Sequence, residues 1–131
     1  MRRMSFTVLL ALLLLPAATA WAKDALEGTW TVTVSPDDAA AGDKDYEDTL
    51  VFGKGKFTST LLQARGFEPS AYEADVRGGG VAVRFNSQTA SAKDGKAAWE
   101  GTATAGSVQG TYTWTKKDGS TVSYHFSGTK K

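Results

Sequence analysis

The stretch Leu26-Glu27-Gly28-Thr29-Trp30-Thr31-Val32-Thr33-Val34 puts Trp30, Val32 and Val34 on one side of the chain and Thr29, Thr31 and Thr33 on the other. That two-residue period is the signature of a strand with one buried and one wet face. The Gly-Thr pair returns as Gly101-Thr102, Gly110-Thr111 and Gly128-Thr129, each time inside an alternating segment. A chain that repeats one half-buried strand almost to its last residue hides those apolar faces only against more sheet.

Eight such segments can be placed. The first covers 28–35 and ends at Pro36-Asp37-Asp38. The second runs from Tyr46 to Phe52, with Asp48, Leu50 and Phe52 in one phase, and Gly53-Lys54-Gly55 turns it into a third, Lys56 to Leu62. Residues 63–71 hold the breakers Gly66 and Pro69 and read as irregular. A short fourth strand spans Tyr72 to Arg77, and Gly78-Gly79-Gly80 leads into a fifth with Val81, Val83 and Phe85 on one face. Lys93-Asp94-Gly95, Ala105-Gly106 and Lys117-Asp118-Gly119 then introduce the last three alternating runs. Asp-Gly between such runs is a strong hairpin signal. No helical period stands out. Glycines 101, 110 and 128 fall in the inward phase, which suits strands bent into a tightly curved sheet.

Hairpins in series make a meander. An open sheet of eight strands would leave its apolar face uncovered, whereas closure covers that face and pairs the first strand with the last. The sequence therefore predicts an all-β chain, an up-and-down antiparallel β-barrel of about eight strands; a β-sandwich uses the same alternation and is the alternative.

Ahead of this domain, residues 1–22 have the form of a signal peptide. Arg2 and Arg3 precede the apolar run Val8 to Leu15, Pro16 breaks it, and Ala20-Trp21-Ala22 fits a small-x-small cleavage pattern before Lys23. Ala18-Thr19-Ala20 offers a second cut, after Ala20. The run is far short of the roughly 20 residues a membrane span needs. Ser5 stands where a twin-arginine signal wants an apolar residue, so the reading is a Sec-type leader cut after Ala22, a periplasmic or secreted protein, and one domain over 23–131. Cleavage lowers Lys+Arg from 15 to 13 against 14 Asp+Glu, and the net charge moves from +1 to −1. A near-neutral, mixed-charge surface lacks the concentrated basic face that nucleic acid requires. The chain has no cysteine, which excludes thiol catalysis, thiolate metal sites, redox function and a lipid-anchored lipoprotein.

The opening Leu26-Glu27-Gly28-Thr29-Trp30 resembles the Gly-x-Trp that begins the first strand of lipocalins and their calycin relatives. Gly110-Thr111-Tyr112-Thr113-Trp114 is similar to the Gly-Thr-x strands of avidin-like barrels, and the whole looks like small lipocalin-like exported bacterial proteins. The resemblance implies that Trp30 plugs the closed end of a barrel.

Catalytic groups are sparse. His125 is the single histidine and shares an outward face with Ser123 and Ser127, with no acid placed beside it in the sequence; it reads as an exposed polar residue. One histidine is too few for a zinc site. The acidic stretch Asp37-Asp38 to Asp43-Lys44-Asp45 lacks the spacing of a calcium loop, and Glu73 and Asp75 read as solvent-facing. Neither an enzyme nor a metal or cofactor site is expected.

Binding has more to draw on. An eight-stranded barrel either fills with side chains or leaves room for one small ligand. The expected ligand-binding set is Trp30, Phe57, Ser59, Phe67, Tyr72, Trp99, Tyr112, Trp114 and Tyr124. The irregular segment 63–72, with Arg65, Phe67 and Tyr72, is the candidate lid, and a cavity of roughly a few hundred Å³ is expected to open near Phe67 and Tyr72. The leading function is non-catalytic binding of a small apolar or aromatic ligand. The alternative is a filled barrel acting through its surface as an envelope interaction or inhibitor module. The expected partners are thus a small apolar ligand, no nucleic acid and no membrane anchor, with no protein partner specified.

Overall fold

Alternation becomes strand almost wherever the pattern asks for it. In the computed structural model, which describes residues 21–38 and 44–131, eight strands follow in chain order. They are β1 (Gly28–Pro36), β2 (Tyr46–Gly53), β3 (Lys56–Ser59), β4 (Ser70–Arg77), β5 (Ala82–Ser91), β6 (Gly95–Thr104), β7 (Ser107–Thr115) and β8 (Thr121–Lys130). Each pairs antiparallel with the next, and β8 closes on β1 with Trp30 opposite Lys130 and Val32 opposite Gly128. One cyclic sheet leaves no second layer, so the barrel holds and the sandwich does not. Leader residues 1–20, including Ala18-Thr19-Ala20, lie outside the described residues, as does Asp43 of the acidic stretch.

Closure on so small a radius depends on missing side chains. At Gly128 an added Cβ would stand 1.9 Å from the Thr31 carbonyl oxygen, and at Gly110 2.1 Å from that of Glu100. The Gly-Thr repeat is therefore a bending device: glycine admits the neighbouring strand and threonine holds the wet face. Two hairpins use left-handed pairs, Lys54-Gly55 with φ of 55° and 75° and Ala105-Gly106 with φ of 50° and 83°. That twist matches the flanking strands.

The lumen is filled by rings. Phe52 lies 5.0 Å from Phe57 and 4.9 Å from Phe85, and Phe57 and Phe126 stand 5.0 and 5.6 Å from Trp99 between ring centroids. Trp30, Phe52, Phe57, Phe85, Trp99 and Phe126 are all essentially inaccessible to solvent.

Two expectations need correction. The third strand stops at Ser59 instead of Leu62, because Thr60–Gln63 forms a one-turn helix whose N-cap is Ser59. Residues 21–26 are also helical. That turn lies across one end of the barrel, the floor, where Ala22 and Leu26 are buried and the Trp30 indole N–H donates to the Leu26 carbonyl at 2.8 Å. The opposite end, the mouth, carries the short helix, the loop to Ser70 and the 116–120 hairpin. Along one side, β3 and β4 meet only at Lys56–Ala71 and Phe57–Ser70. Above that point the loop takes over, with the Glu68 N–H donating to the Ala90 carbonyl and Ser91 Oγ to that of Arg65.

Candidate functional site

At the mouth the inward phase of three strands ends in hydroxylated or half-exposed rings. β2 begins with Tyr46, β7 ends with Tyr112 and Trp114, and β8 begins with Val122 and Tyr124. With Leu61 and Leu62 of the short helix, these side chains line a cleft of about 430 Å³. Its base is a ring stack that rises from the lumen. Trp99 stacks on Tyr112 at 4.1 Å and 22°, and Tyr112 on Tyr124 at 4.6 Å and 18°, with Tyr46 edge-on to Tyr124 at 6.3 Å. The Tyr46 and Tyr112 hydroxyls share a short hydrogen bond. Burial pushes the Tyr46 hydroxyl up to about 12 and raises Tyr112 as well, so both keep their protons at neutral pH.

Under this pair sits a buried carboxylate. Asp48 accepts hydrogen bonds from Ser59 Oγ, from the Thr49 N–H at 2.7 Å and from the Leu61 N–H at 3.0 Å, while Ser59 Oγ accepts from the Leu62 N–H at 3.2 Å. Asp48 and Ser59 together satisfy two of the free N–H groups that open the helix, those of Leu61 and Leu62. This lock ends β3 early and presents Leu61 and Leu62 to the cleft. Burial raises the Asp48 pKa against the lowering pull of Ser59, Leu61 and Thr49.

Three cations border the cleft: Lys44, Arg65 and Lys116. Arg65 and Lys116 lie over the Trp114 ring at 5.9 and 5.1 Å from its centroid, and the Trp114 indole N–H donates to the Asp94 carbonyl at 2.6 Å. Among the described residues none of the three has a carboxylate within ion-pair distance, and no acid lines the cleft.

The expected ligand-binding residues are spread through the barrel. Tyr112, Trp114 and Tyr124 come together at the mouth. Phe57 and Trp99 lie in the filled lumen, Ser59 belongs to the Asp48 lock, and Phe67 is buried beside the helix with its N–H donating to the Leu62 carbonyl. Trp30 and Tyr72 are at the floor, where the Lys23 ammonium stands 5.1 Å from the Tyr72 ring. Neither Phe67 nor Tyr72 lines this cleft, which opens beside Arg65 and Trp114. Tyr46, Leu61, Leu62 and Val122 escaped the sequence reading. Tyr46 shares the phase of Asp48 and Leu50, which marks it as inward, whereas adjacent Leu61 and Leu62 break the alternation and so signal the helix.

His125 differs from its sequence reading in one respect. It is exposed, as expected, but Asp37 Oδ1 lies 2.7 Å from its Nδ1, so an acid does orient the ring. Ser123 Oγ shares a hydrogen bond with Thr113 Oγ1 at 3.4 Å. His125 borders a larger but shallower trough, about 760 Å³, on the outer wall over Gly101 and Gly110. The arginines there each have an acidic partner, Arg84 with Glu100 at 3.9 Å and Arg77 with Asp75 at 2.8 Å. Of these two depressions, the mouth cleft is the one that combines several aromatic rings with cations lacking a carboxylate within ion-pair distance among the described residues. Among the described residues no three His, Asp or Glu side chains are grouped to hold a metal ion, and no helix is long and apolar enough to cross a membrane.

No family model, curated protein or solved structure matches this chain.

Proposed function

We propose that the protein is an exported, lipocalin-like, non-catalytic binding protein that holds a small apolar or aromatic ligand in the mouth cleft. The observation that carries this reading is the cleft itself, where Tyr112, Tyr124, half-buried Trp114 and Leu61 bring three rings and an aliphatic side chain to one solvent-reaching space of about 430 Å³. A cleft of this volume suits a ligand of one to three rings. Titration with the neutral fluorophore phenylnaphthylamine tests it. Saturable enhancement that is lost in Trp114→Ala supports the reading, and absence of saturable binding overturns it. The second reading, a filled barrel acting through its surface on an envelope protein, draws on the ring-packed lumen.

Export follows from the form of the leader, and the floor bears on where that leader is cut. Ala22 is fully buried there, which favours cleavage after Ala20 and a processed chain that begins at Trp21. N-terminal sequencing of the exported protein decides between the two cuts. A first residue of Lys23 would mean that the floor closes without Ala22.

A further inference from the structure

The mouth cleft has a charge pattern that an apolar ligand alone would not use. We infer that the ligand is an anion with an aromatic body, a carboxylate or sulfonate whose charged group is held by Arg65 and Lys116 while its ring packs on the tyrosines and Trp114. This inference rests on the mouth as the binding site and adds the chemistry of what binds there.

Four observations converge on it. Arg65 and Lys116 both stand over one ring, that of Trp114, at 5.9 and 5.1 Å from its centroid, and a cation over a ring keeps N–H groups available to an oxyanion. Lys44 adds a third positive charge at the rim, and no acid among the described residues lines the cleft to cancel it. Two nearby carboxylates accept hydrogen bonds of their own: Asp48 from Ser59, Thr49 and Leu61, and Asp118, which also feels the Lys116 charge, from the Ser120 hydroxyl at 2.6 Å and its N–H at 2.9 Å. The fourth is a surplus donor. Tyr46 and Tyr112 own two hydroxyl hydrogens and use one between them, so the other remains for an acceptor in the cleft. A neutral hydrocarbon would offer nothing to that hydrogen or to the charge of the three cations. An aromatic oxyanion satisfies the hydrogen and pairs with the cations while its ring packs against the apolar lining of the cleft.

Two fluorophores that differ by one sulfonate test this directly: anilinonaphthalene sulfonate and the neutral phenylnaphthylamine, each titrated against the full processed protein. The wild type is expected to bind the sulfonate about tenfold more tightly than the neutral probe, as a charge-assisted contact implies. Arg65→Gln with Lys116→Gln is expected to erase that ratio, because only the sulfonate has a charge for the two cations to hold. Raising the salt concentration should weaken the sulfonate complex alone. Equal affinity for the two probes, or a sulfonate preference that survives the double substitution, overturns the anion inference and leaves the mouth as a neutral site. Failure of both probes to bind overturns the underlying reading. Near-ultraviolet circular dichroism of the variant checks that its fold is intact, and both substituted side chains reach solvent, so the fold is expected to persist.

Discussion

The two ends of the barrel are built from the same residue types and behave differently. At the floor, Trp30 is buried under residues 21–26, its indole N–H bonded to Leu26 and the Lys130 ammonium 5.5 Å from its ring centroid. At the mouth, Trp114 also bonds a backbone carbonyl and also carries cations over its ring, yet it stays half-buried and faces a cleft. The difference is what covers them. A chain segment lies across the floor, while the mouth has a one-turn helix held to the side by Asp48. The contrast teaches that a tryptophan in this fold is a plug or a platform according to its cover, not its own bonding.

Substitution at the two tryptophans breaks the comparison most sharply. Trp30→Ala is expected to cost about 3–5 kcal/mol in urea unfolding, the range for a fully buried large ring. Trp114→Ala should cost only about 1 kcal/mol of stability and abolish probe binding. Equal losses at both positions would make the mouth part of the core.

Next in size is the strand bend shared by both ends. Gly128→Ala forces a methyl onto backbone, which does not yield as a flexible side chain would, and is expected to cost about 1–3 kcal/mol. A neutral result in chemical denaturation would mean that β1 and β8 approach less closely than described.

Hydroxyl removal sharpens the contrast in sign. Tyr72 Oη is buried at the floor without a hydrogen-bond partner among the described residues, so Tyr72→Phe should leave stability unchanged or raise it by roughly 1 kcal/mol. Tyr112→Phe strips the Tyr46 hydroxyl of its partner and should cost about 1 kcal/mol, with weaker binding of anionic probes. Thermal unfolding of the two variants side by side reads both signs.

The smallest effect concerns pH. Burial raises the folded-state pKa of Asp48 above its unfolded value of 3.8. A raised pKa means that the folded chain holds the proton more tightly. The contribution is therefore fully present below the unfolded pKa and is lost as pH rises through the folded one. In Asp48→Asn that slope disappears, so stability relative to wild type should be more favourable at neutral pH than in acid. Urea titrations at about pH 4 and about pH 7 compare the two, and a parallel pH dependence would remove Asp48 as the cause.

Much of this architecture is legible in the alternation. Trp30, Phe52, Phe85, Trp99 and Phe126 fall inward because period two leaves them no other face, and the Gly-Thr pairs mark where the sheet bends. The mouth was harder to read, for a physical reason. Asp48 shares the inward phase with Leu50 and Phe52, but its purpose appears only when Ser59 and the Leu61 N–H are folded against it, thirteen residues along the chain. Arg65 and Lys116 are fifty-one residues apart, and only closure brings both to Trp114. The floor turn was hidden for another reason, since residues 21 and 22 read as the end of a leader.

The four tryptophans offer the most direct test of the mouth as the binding end, because each gives one indole N–H signal in a nitrogen–proton correlation spectrum. Titration with phenylnaphthylamine should shift the Trp114 signal progressively and leave Trp30 in place. A shift at Trp30 with Trp114 unmoved would put the ligand at the floor and contradict the account.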